Sequence, residues 1–194
     1  MEPTIVTRRE DGRDLPLLLW RLPIPMLAIS SAALGGGIGV RHWVVNATVP
    51  VSYDRDDPDV HLADLAARLD LTGPGVGLLT GVDVARVVST AEAGMAVWAT
   101  VGLDLPTWAA VPASPAEPPP AEQPPPGASP HAVRERPPAA GTINVVAVLP
   151  ARLGDAALVN AIATVAEAKA QALWELGLPG TGTPSDATCV LCPT

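Results

Sequence analysis

Phenylalanine is absent from this chain of 194 residues, and its aromatic residues are five tryptophans and a single tyrosine. Together with the abundance of alanine, this absence is typical of a GC-rich coding sequence, so we draw no functional conclusion from it. Hydrophobic residues still make up 48% of the chain. That content and this length are sufficient for one domain with a sizeable core.

Basic residues are also scarce. Lys and Arg number 12 against 20 Asp and Glu, which gives a formal net charge of −8 at pH 7. An acidic surface argues against nucleic acid and against an anionic membrane surface as binding partners. Lysine is the scarcest of the charged residues, because Lys169 is the only one in the chain.

Cysteine is limited to Cys189 and Cys192, too few for a disulfide framework. Zinc prefers four ligands, and the remaining soft ligands are His42, His61 and His131, which do not cluster in the sequence. We therefore expect two buried structural cysteines and no metal site. Neither His42 nor His61 has a recognisable partner for a catalytic triad.

The sequence contains no recognisable export signal. Its first residues, MEPTIVTRREDGRD, are charged and include no apolar segment of the signal-peptide kind. The most apolar stretch, residues 15–34, contains three prolines and an arginine, which a membrane helix tolerates poorly. The sequence thus predicts a soluble cytoplasmic protein.

One segment differs from the rest in composition. Residues 112–138 contain 11 of the 23 prolines and almost no bulky apolar side chain. Such a segment cannot offset the entropy lost on ordering its backbone. We interpret it as a disordered insertion within a single domain, 1–194, and the alternative is a polyproline ligand for a partner.

Short apolar runs bounded by proline or glycine indicate strands before the insertion. These runs are LPLLLWRL, PMLAIS, HWVVNATV, VGLLTGV, VARVVST and MAVWATVG, and a turn at residues 92–94 joins the last two as a hairpin. Asp57 followed by Pro58 predicts the start of a helix. Its apolar face carries Leu62, Leu65, Ala66 and Leu69.

After the insertion, the continuous apolar run TINVVAVLP predicts a strand buried on both faces. A long helix over residues 155–176 follows, with Asp155 as its N-cap and Gly177 just beyond its end. Strands early in the chain and a strand–helix unit late in it predict a single layered domain of the α+β or α/β class.

The long helix carries four polar residues at spacings of 4, 3 and 4, namely Asn160, Thr164, Glu167 and Gln171. At helical periodicity they form one polar stripe. Either this stripe is the wet face of an ordinary amphipathic helix, or it lines a cleft. Three of the four are uncharged, unlike a typical charged surface.

Three isolated polar residues are also candidates. Lys169 lies among the apolar residues of the long helix, where it either extends its ammonium to water or is partly buried and suited to base chemistry. Asn46 and Asp83 close apolar runs. Turn chemistry explains either of these two as well as ligand contact does.

The stretch ISSAALGGGIG, residues 29–39, places three consecutive glycines after Ser30 and Ser31. It matches neither a P-loop nor the glycine pattern of dinucleotide-binding folds. Its backbone N–H groups either cradle an anion or form an oxyanion hole, or else the loop is a tight turn with capping serines.

Seven stretches, in order between about residues 20 and 193, resemble the adenosylcobinamide amidohydrolase family. They are ISSAALGGGIG, YDRDDPDVHLADLA, GVGLLTGVDV, ATVGLDLPTWAA, GTINVVAVLP, DAALVNAIATVAEAKAQAL and TGTPSDATCVLCP. The family pattern leads us to expect a further stretch after CVLCP, so we expect the chain as given to be a truncated form.

The resemblance implies an enzyme of cobinamide salvage and cobalamin biosynthesis that hydrolyses the amide between a corrin propionate and aminopropanol. Its products are adenosylcobyric acid and 1-amino-2-propanol. The corrinoid with its cobalt is then the substrate, and no cofactor is implied. The alternative is a corrinoid-binding or carrier protein without hydrolytic activity.

Amide hydrolysis needs oxyanion donors together with a base or a nucleophile. The candidate catalytic residues are Glu167 or Lys169 as base and Ser30 or Ser31 as nucleophile, so water attack and acylation of a serine both remain open. The two bases lie two positions apart on the helix and point to different sides. The candidate substrate-binding residues are Gly35, Gly36, Gly37, Asn46, Asp83, Asn160, Thr164 and Gln171.

We predict that replacing residues 112–138 with a short Gly/Ser linker leaves folding and activity nearly unchanged, because the segment carries no core residues. Melting temperature and turnover of the two proteins are compared. A loss of several degrees in melting temperature would show instead that the segment packs against the domain.

Overall fold

A computed structural model of the chain describes residues 1–103, 106–110 and 141–194, and the predicted insertion 112–138 lies outside these residues. The described part forms eight strands, two α-helices and one 3₁₀ helix. In chain order these are β1 (Thr4–Glu10), β2 (Arg13–Ser30), β3 (Gly37–Thr48), α1 (Pro58–Arg68), β4 (Gly75–Thr80), the 3₁₀ helix (Val84–Arg86), β5 (Val88–Glu92), β6 (Met95–Val101), β7 (Ile143–Val148), α2 (Asp155–Glu175) and β8 (Ala187–Cys192).

All eight strands belong to one mixed sheet. Its order is β4-β3-β2-β8-β7-β6-β5, with β1 paired to β2 outside this path. The β3–β4 and β7–β8 pairs are parallel, and the other pairs are antiparallel. A single sheet with two helices confirms the predicted α+β class. Among the described residues, neither helix combines the length and apolar character needed to span a bilayer.

The β1–β2 hairpin was not expected from the sequence. Asp11 and Gly12 form its turn, with φ of 48° and 75°, and Glu10 pairs with Arg13 across it. Two successive positive φ values are characteristic of the tight hairpin turn that Asp-Gly favours. The Asp-Gly pair within MEPTIVTRREDGRD was therefore the signal for a hairpin.

Strand β2 is one long strand where the sequence predicted two short ones. Its register against β3 shifts between Arg21 and Met26, at the segment that contains Pro23 and Pro25. Proline has no N–H to donate to a ladder, so the pairing is interrupted there and resumes beyond. β3 follows one edge of β2, while β1 and β8 share the other edge.

The sheet curls around an apolar interior. Trp20 of β2 and Trp98 of β6 meet edge to face there, with ring centroids 5.7 Å apart. They pack in one cluster to which β2, β3, β4, β6, β7 and β8 all contribute. Its members include Val44, Leu78, Val146 and Leu191. A second cluster on the outer face joins Leu17, Leu19, Trp43 and Val45 to Leu65 and Ala66 of α1.

Both helices occur where the sequence predicts them, with differences at their starts. Asp57 precedes Pro58 as expected, but its carboxylate pairs with Arg55 and makes no capping hydrogen bond. The N-cap of α2 is Gly154, and Asp155 is the first helical residue.

The end of α2 matches the glycine signal. Gly177 has a φ of 70° and donates its N–H to Trp174 O at 2.9 Å, and Leu178 donates to Leu173 O at 2.9 Å. This pair of bonds is the Schellman arrangement that a glycine beyond a helix end permits.

The run VARVVST was wrongly predicted as one strand. Its first three residues form the 3₁₀ helix, and β5 begins only at Val88. The Asp83 side chain accepts the Ala85 N–H at 2.9 Å, which starts the helical turn. The hairpin that follows is as predicted, with Ala93 and Gly94 at positive φ in its turn.

The two cysteines are fully buried on β8 and are not disulfide-bonded, so the prediction of buried structural cysteines is confirmed. Residues three apart on a strand point to opposite faces, which keeps Cys189 and Cys192 from acting as a pair. Burial raises the pKa of the Cys189 thiol to about 12, which keeps it protonated and unreactive.

We predict that Gly35→Ala destabilises the protein considerably more than Gly37→Ala. Both glycines have a positive φ, of 71° and 82°, so alanine costs about 1–2 kcal/mol at either position. At Gly35 the new Cβ would also overlap the carbonyl oxygen of Gly75, whereas at Gly37 nothing lies within 4 Å. Denaturant unfolding of both variants measures the difference, and equal losses would contradict the close approach.

Candidate functional site

A cleft of about 540 Å³ opens where loops from both halves of the sheet meet, and we call it the main cleft. Ser31 of the β2–β3 loop, Tyr53 and Arg55 lie in its walls. Most of the remaining wall comes from residues 49–51 after β3, 78–81 at the end of β4, 141–142 before β7 and 184–187 at the start of β8. Loops held by a rigid sheet are the usual place for binding and catalytic groups.

Asp186 fixes the segment that precedes β8. Its Oδ1 accepts the Ile143 N–H at 2.7 Å and its Oδ2 accepts the Thr183 N–H at 3.0 Å. The Thr183 hydroxyl lies 2.5 Å from Oδ1, and the ammonium of Lys169 donates to Oδ2 at 2.5 Å. With both oxygens engaged, Asp186 ties β7, β8 and α2 together and is positioned as an anchor rather than as a base.

Lys169 is partly buried, which is one of the two alternatives that the sequence left open. Its ion pair with Asp186 stands beside Gly182, where an added Cβ would overlap both charged groups. Lys169 also lines a neighbouring cleft of about 500 Å³ with Trp108 and Thr181. The role of Lys169 as a base stays a prediction, and its observed partner is a carboxylate.

Three buried polar side chains join opposite parts of the sheet beneath the main cleft. Asn46 of β3 donates to Thr100 Oγ1 of β6 at 3.0 Å and accepts from Asn144 Nδ2 of β7 at 2.9 Å. Asn144 also donates to Leu79 O at 2.9 Å and accepts the Ala187 N–H at 3.2 Å. Asn46 therefore has a structural explanation, and its contact with substrate stays a prediction.

The two serines at the end of β2 differ in their surroundings. Ser30 is buried, donates its hydroxyl to Thr188 O at 2.9 Å and accepts the Ala32 N–H at 3.0 Å. Ser31 is exposed in the main cleft, and its Oγ accepts the Thr188 N–H at 3.0 Å. Ser31 is therefore able to donate its own hydroxyl proton to a bound group.

The glycine run lies beside the cleft and packs against the backbone of β4. Leu34 and Gly77 exchange backbone hydrogen bonds of 3.4 and 2.9 Å, which brings Gly35 against Gly75. The guanidinium of Arg41 donates to Gly35 O at 3.0 Å. This close approach accounts for glycine at position 35. The oxyanion and substrate contacts assigned to Gly35, Gly36 and Gly37 stay predictions.

The polar stripe of α2 lies on the exposed face of the helix, at Asn160, Thr164, Glu167 and Gln171. Two of its members bond within the helix, because Thr164 donates to Asn160 O at 3.0 Å and Gln171 donates to Glu175 at 2.7 Å. This placement corresponds to the surface alternative, and the walls of the main cleft come from other segments. The catalytic role of Glu167 and the binding roles of the other three stay predictions.

A hydrogen-bonded group that the sequence did not reveal lies beside the main cleft. His61 of α1 is bonded through Nε2 to Glu10 Oε1 at 2.8 Å and through Nδ1 to the hydroxyl of Tyr53 at 3.0 Å. The imidazole and the phenol rings are also stacked. His61 thus has a triad-like partner on each side, contrary to expectation, because Glu10 lies on the unexpected strand β1.

The acidities in this group follow from its contacts. Burial alone would raise the pKa of Glu10, but His61 and Arg8 outweigh it and hold that pKa below its ordinary value. Burial is the largest influence on the pKa of Tyr53 and raises it against the opposing effect of Arg55, with smaller contributions from the carboxylates of Asp57 and Glu10 in the same direction as burial. The carboxylate is therefore ionised and the phenol protonated at neutral pH.

The described residues contain no group of three or more His, Cys, Asp or Glu side chains that could hold a metal ion.

The Asp83 side chain caps the 3₁₀ helix, which agrees with the interpretation of Asp83 as a turn residue. Its contact with substrate stays a prediction.

Comparison with known proteins places the chain in a family. The sequence model of the family described as adenosylcobinamide amidohydrolase matches residues 2–194. The chain belongs to the adenosylcobinamide amidohydrolase family. The resemblance drawn from seven stretches of the sequence is thereby confirmed.

Two curated proteins of this family are similar to the chain, and both are named adenosylcobinamide amidohydrolase. The one from Methanosarcina mazei is 27% identical over 164 residues, which cover 84% of this chain and 68% of that protein. The one from Halobacterium salinarum is 37% identical over 167 residues, which cover 84% of this chain and 64% of that protein. The chain thus spans about two thirds of the length of these relatives. No solved structure matches it.

The stretches that carry the family resemblance meet at the main cleft. Five of the seven supply residues to its walls, although they are scattered between residues 29 and 193 of the sequence. They are ISSAALGGGIG, YDRDDPDVHLADLA, GVGLLTGVDV, GTINVVAVLP and TGTPSDATCVLCP. This convergence makes the main cleft the candidate active site of the chain.

We predict that Asp186→Asn lowers the free energy of unfolding by about 2–3 kcal/mol, because the neutral amide loses charge-assisted hydrogen bonds and leaves Lys169 without its counter-ion. Denaturant unfolding measures the loss. The matched control is Asp64→Asn, an exposed carboxylate of α1, for which a change within about 0.5 kcal/mol is expected. Equal effects of the two substitutions would remove Asp186 as the anchor of this wall.

Proposed function

We propose that this chain hydrolyses the amide that links aminopropanol to the corrin ring of adenosylcobinamide, releasing adenosylcobyric acid and 1-amino-2-propanol. The observation that carries the proposal is the convergence of five family stretches on the main cleft, together with the family match over residues 2–194. The reaction is one of cobinamide salvage, and the corrinoid is its substrate.

The size of the main cleft supports binding of one arm of the substrate. Pockets for drug-sized ligands have volumes of about 300–1,000 Å³, and the main cleft has about 540 Å³. Adenosylcobinamide is larger than such ligands, because a substituted corrin ring carries an adenosyl group and several amide side chains. We infer that the ring stays at the mouth while the arm with the scissile amide enters.

The surroundings of Ser31 favour attack by water over acylation of a serine. A serine nucleophile needs an adjacent base within hydrogen-bond reach. Within the described residues, the Ser31 side chain is hydrogen-bonded to the N–H of Thr188, which cannot take a proton. Ser30 is engaged in two structural bonds. We therefore propose that Ser31 donates a hydrogen bond to the oxyanion while water attacks the carbonyl carbon.

We propose the cytoplasm as the compartment of this reaction. Cys189 and Cys192 are free thiols, as is usual where the surroundings are reducing. The excess of acidic residues supports a small-molecule substrate rather than nucleic acid.

The proposal predicts release of free 1-amino-2-propanol when the purified chain is incubated with adenosylcobinamide. Chromatography of the corrinoid and derivatisation of the amine measure the two products. Because no metal is expected, turnover should survive dialysis against EDTA. Binding of the corrinoid without any release of amine would identify a carrier protein instead.

Two variants assign the groups at the amide. Ser31→Ala should lower turnover about 10²–10³-fold with little change in corrinoid binding, as expected for a lost oxyanion donor.

Glu167→Gln tests whether Glu167 of α2 is a catalytic base or a residue of the solvent-exposed helix face. A catalytic base would lose about 10²–10⁴-fold in turnover, whereas a residue of the wet face would leave turnover unchanged.

A further inference from the structure

Glu10, His61 and Tyr53 form a line of hydrogen bonds from β1 through α1 to the segment before α1. The two distances, 2.8 Å from Glu10 Oε1 to His61 Nε2 and 3.0 Å from His61 Nδ1 to Tyr53 Oη, are ordinary hydrogen-bond lengths. The order carboxylate, imidazole, hydroxyl is the order of a triad, in which the carboxylate orients the imidazole and the imidazole exchanges a proton with the hydroxyl.

The orientation of this group is fixed at its far end. The second oxygen of Glu10 accepts the Arg8 Nε–H at 3.0 Å, and Arg8 in turn donates to Thr48 O at 2.6 Å. The His61 side chain is only 4% exposed. A buried imidazole with a hydrogen bond at each nitrogen keeps one ring orientation, as proton transfer through it requires.

Tyr53 connects this group to the main cleft. Tyr53 lines the main cleft and also an outer cleft of about 480 Å³. Glu10 and His61 line the outer cleft as well. Tyr53 is therefore common to the two clefts, and its hydroxyl is bonded to His61 of the outer cleft. A proton that reaches His61 from the outer cleft can pass along this hydrogen bond to Tyr53, a residue of the main-cleft wall.

We propose that Tyr53 is the general acid that protonates the leaving amine in the hydrolysis proposed above, on which this inference rests, and that His61 and Glu10 are positioning residues that resupply its proton. Water adds its oxygen to the carbonyl carbon and gives up a proton to solvent. The C–N bond then breaks as its electron pair takes the phenolic proton of Tyr53. The Tyr53 oxygen recovers a proton from Nδ1 of the His61 imidazolium, which regains one from solvent.

The chemistry of the two partners suits this transfer. A phenol and an alkylamine such as lysine have unperturbed pKa values of about 10 and about 10.4. Burial raises the pKa of Tyr53 from its ordinary value, so the phenol and the amine compete for the proton on comparable terms. The carboxylate of Glu10, 2.8 Å from Nε2, stabilises positive charge on the ring while it passes a proton to Tyr53. Because the phenol is held protonated at neutral pH, it is available as a donor throughout the physiological range.

The first test compares two leaving groups in the full chain. Tyr53→Phe keeps the ring stacked on His61 and removes only the hydroxyl. It should lower kcat for adenosylcobinamide about 10²–10⁴-fold with little change in KM. For the 4-nitrophenyl ester of adenosylcobyric acid, whose phenolate leaves without protonation, kcat should stay close to that of the unsubstituted protein.

His61→Gln should reproduce this dependence on the leaving group, and the double variant should lose no more than either single one, since the residues act as a unit. The matched control is His42→Gln, an exposed histidine outside the group, which should leave both reactions unchanged. Equal losses on amide and ester would show that Tyr53 is only structural, and full activity of Tyr53→Phe on the amide would overturn the proposal outright.

Because Tyr53 is the only tyrosine in the chain, biosynthetic incorporation of a fluorinated tyrosine alters this phenol alone. A general acid works only while protonated, so activity is present below the pKa of Tyr53 and is lost as pH rises through it. Fluorination lowers that pKa and should move the alkaline limb of kcat to lower pH. An unmoved limb contradicts the assignment.

Other charged groups surround the proton relay formed by Tyr53, His61 and Glu10. They are Arg8, Arg9 and Asp11 on the β1–β2 hairpin, Asp54, Arg55 and Asp57 before α1, and Asp64 and Arg68 on α1.

The two proposals fail in different ways. If the unsubstituted chain releases no aminopropanol, the proposed function is wrong and the relay is wrong with it. If the unsubstituted chain releases aminopropanol and Tyr53→Phe does so at the same rate, only the relay is wrong.

Discussion

The hydrogen bond between Asn46 and Asn144 is the constraint on which the site depends. These side chains lie on β3 and β7, which two other strands separate in the order of the sheet, so their contact requires the sheet to curl. Both amides are buried, and a buried amide left without its partner costs about 1–3 kcal/mol. The pair therefore favours one curvature over others. That curvature brings the end of β4 opposite the starts of β7 and β8, and the main cleft is the space between them.

A second constraint fixes the wall of the main cleft that the segment before β8 forms. Asp186 receives hydrogen bonds from the start of β7, from its own loop and from α2, so the loop before β8 cannot move without breaking a charged contact. The opposite side of the cleft carries Ser31, which is exposed there, and Tyr53, whose hydroxyl is bonded to His61. A fixed wall of this kind is what holding a bound group in one orientation requires.

Local patterns in the sequence predicted most elements, and long-range contacts account for the failures. Periodicity, caps and apolar runs predicted the two helices, the β5–β6 hairpin, the buried strand β7 and the buried cysteines. The hydrogen-bonded group of Glu10, His61 and Tyr53 could not be predicted in this way, because Glu10 and His61 lie 51 positions apart in the chain. The Asp11–Gly12 turn was a usable signal for β1. Even with β1 in place, no local pattern specifies which residue of α1 its last side chain meets.

The glycine run shows why a strong local signal still left the site ambiguous. Three glycines predict either a positive φ or a close approach, and the structure shows both at Gly35, where the approaching group is the backbone of β4. That contact nevertheless serves the cleft. It holds the β2–β3 loop against the strand whose end forms the cleft wall, and Ser31 lies at the start of the same loop. Glycine at position 35 thus shapes the candidate site through the packing of its backbone against β4.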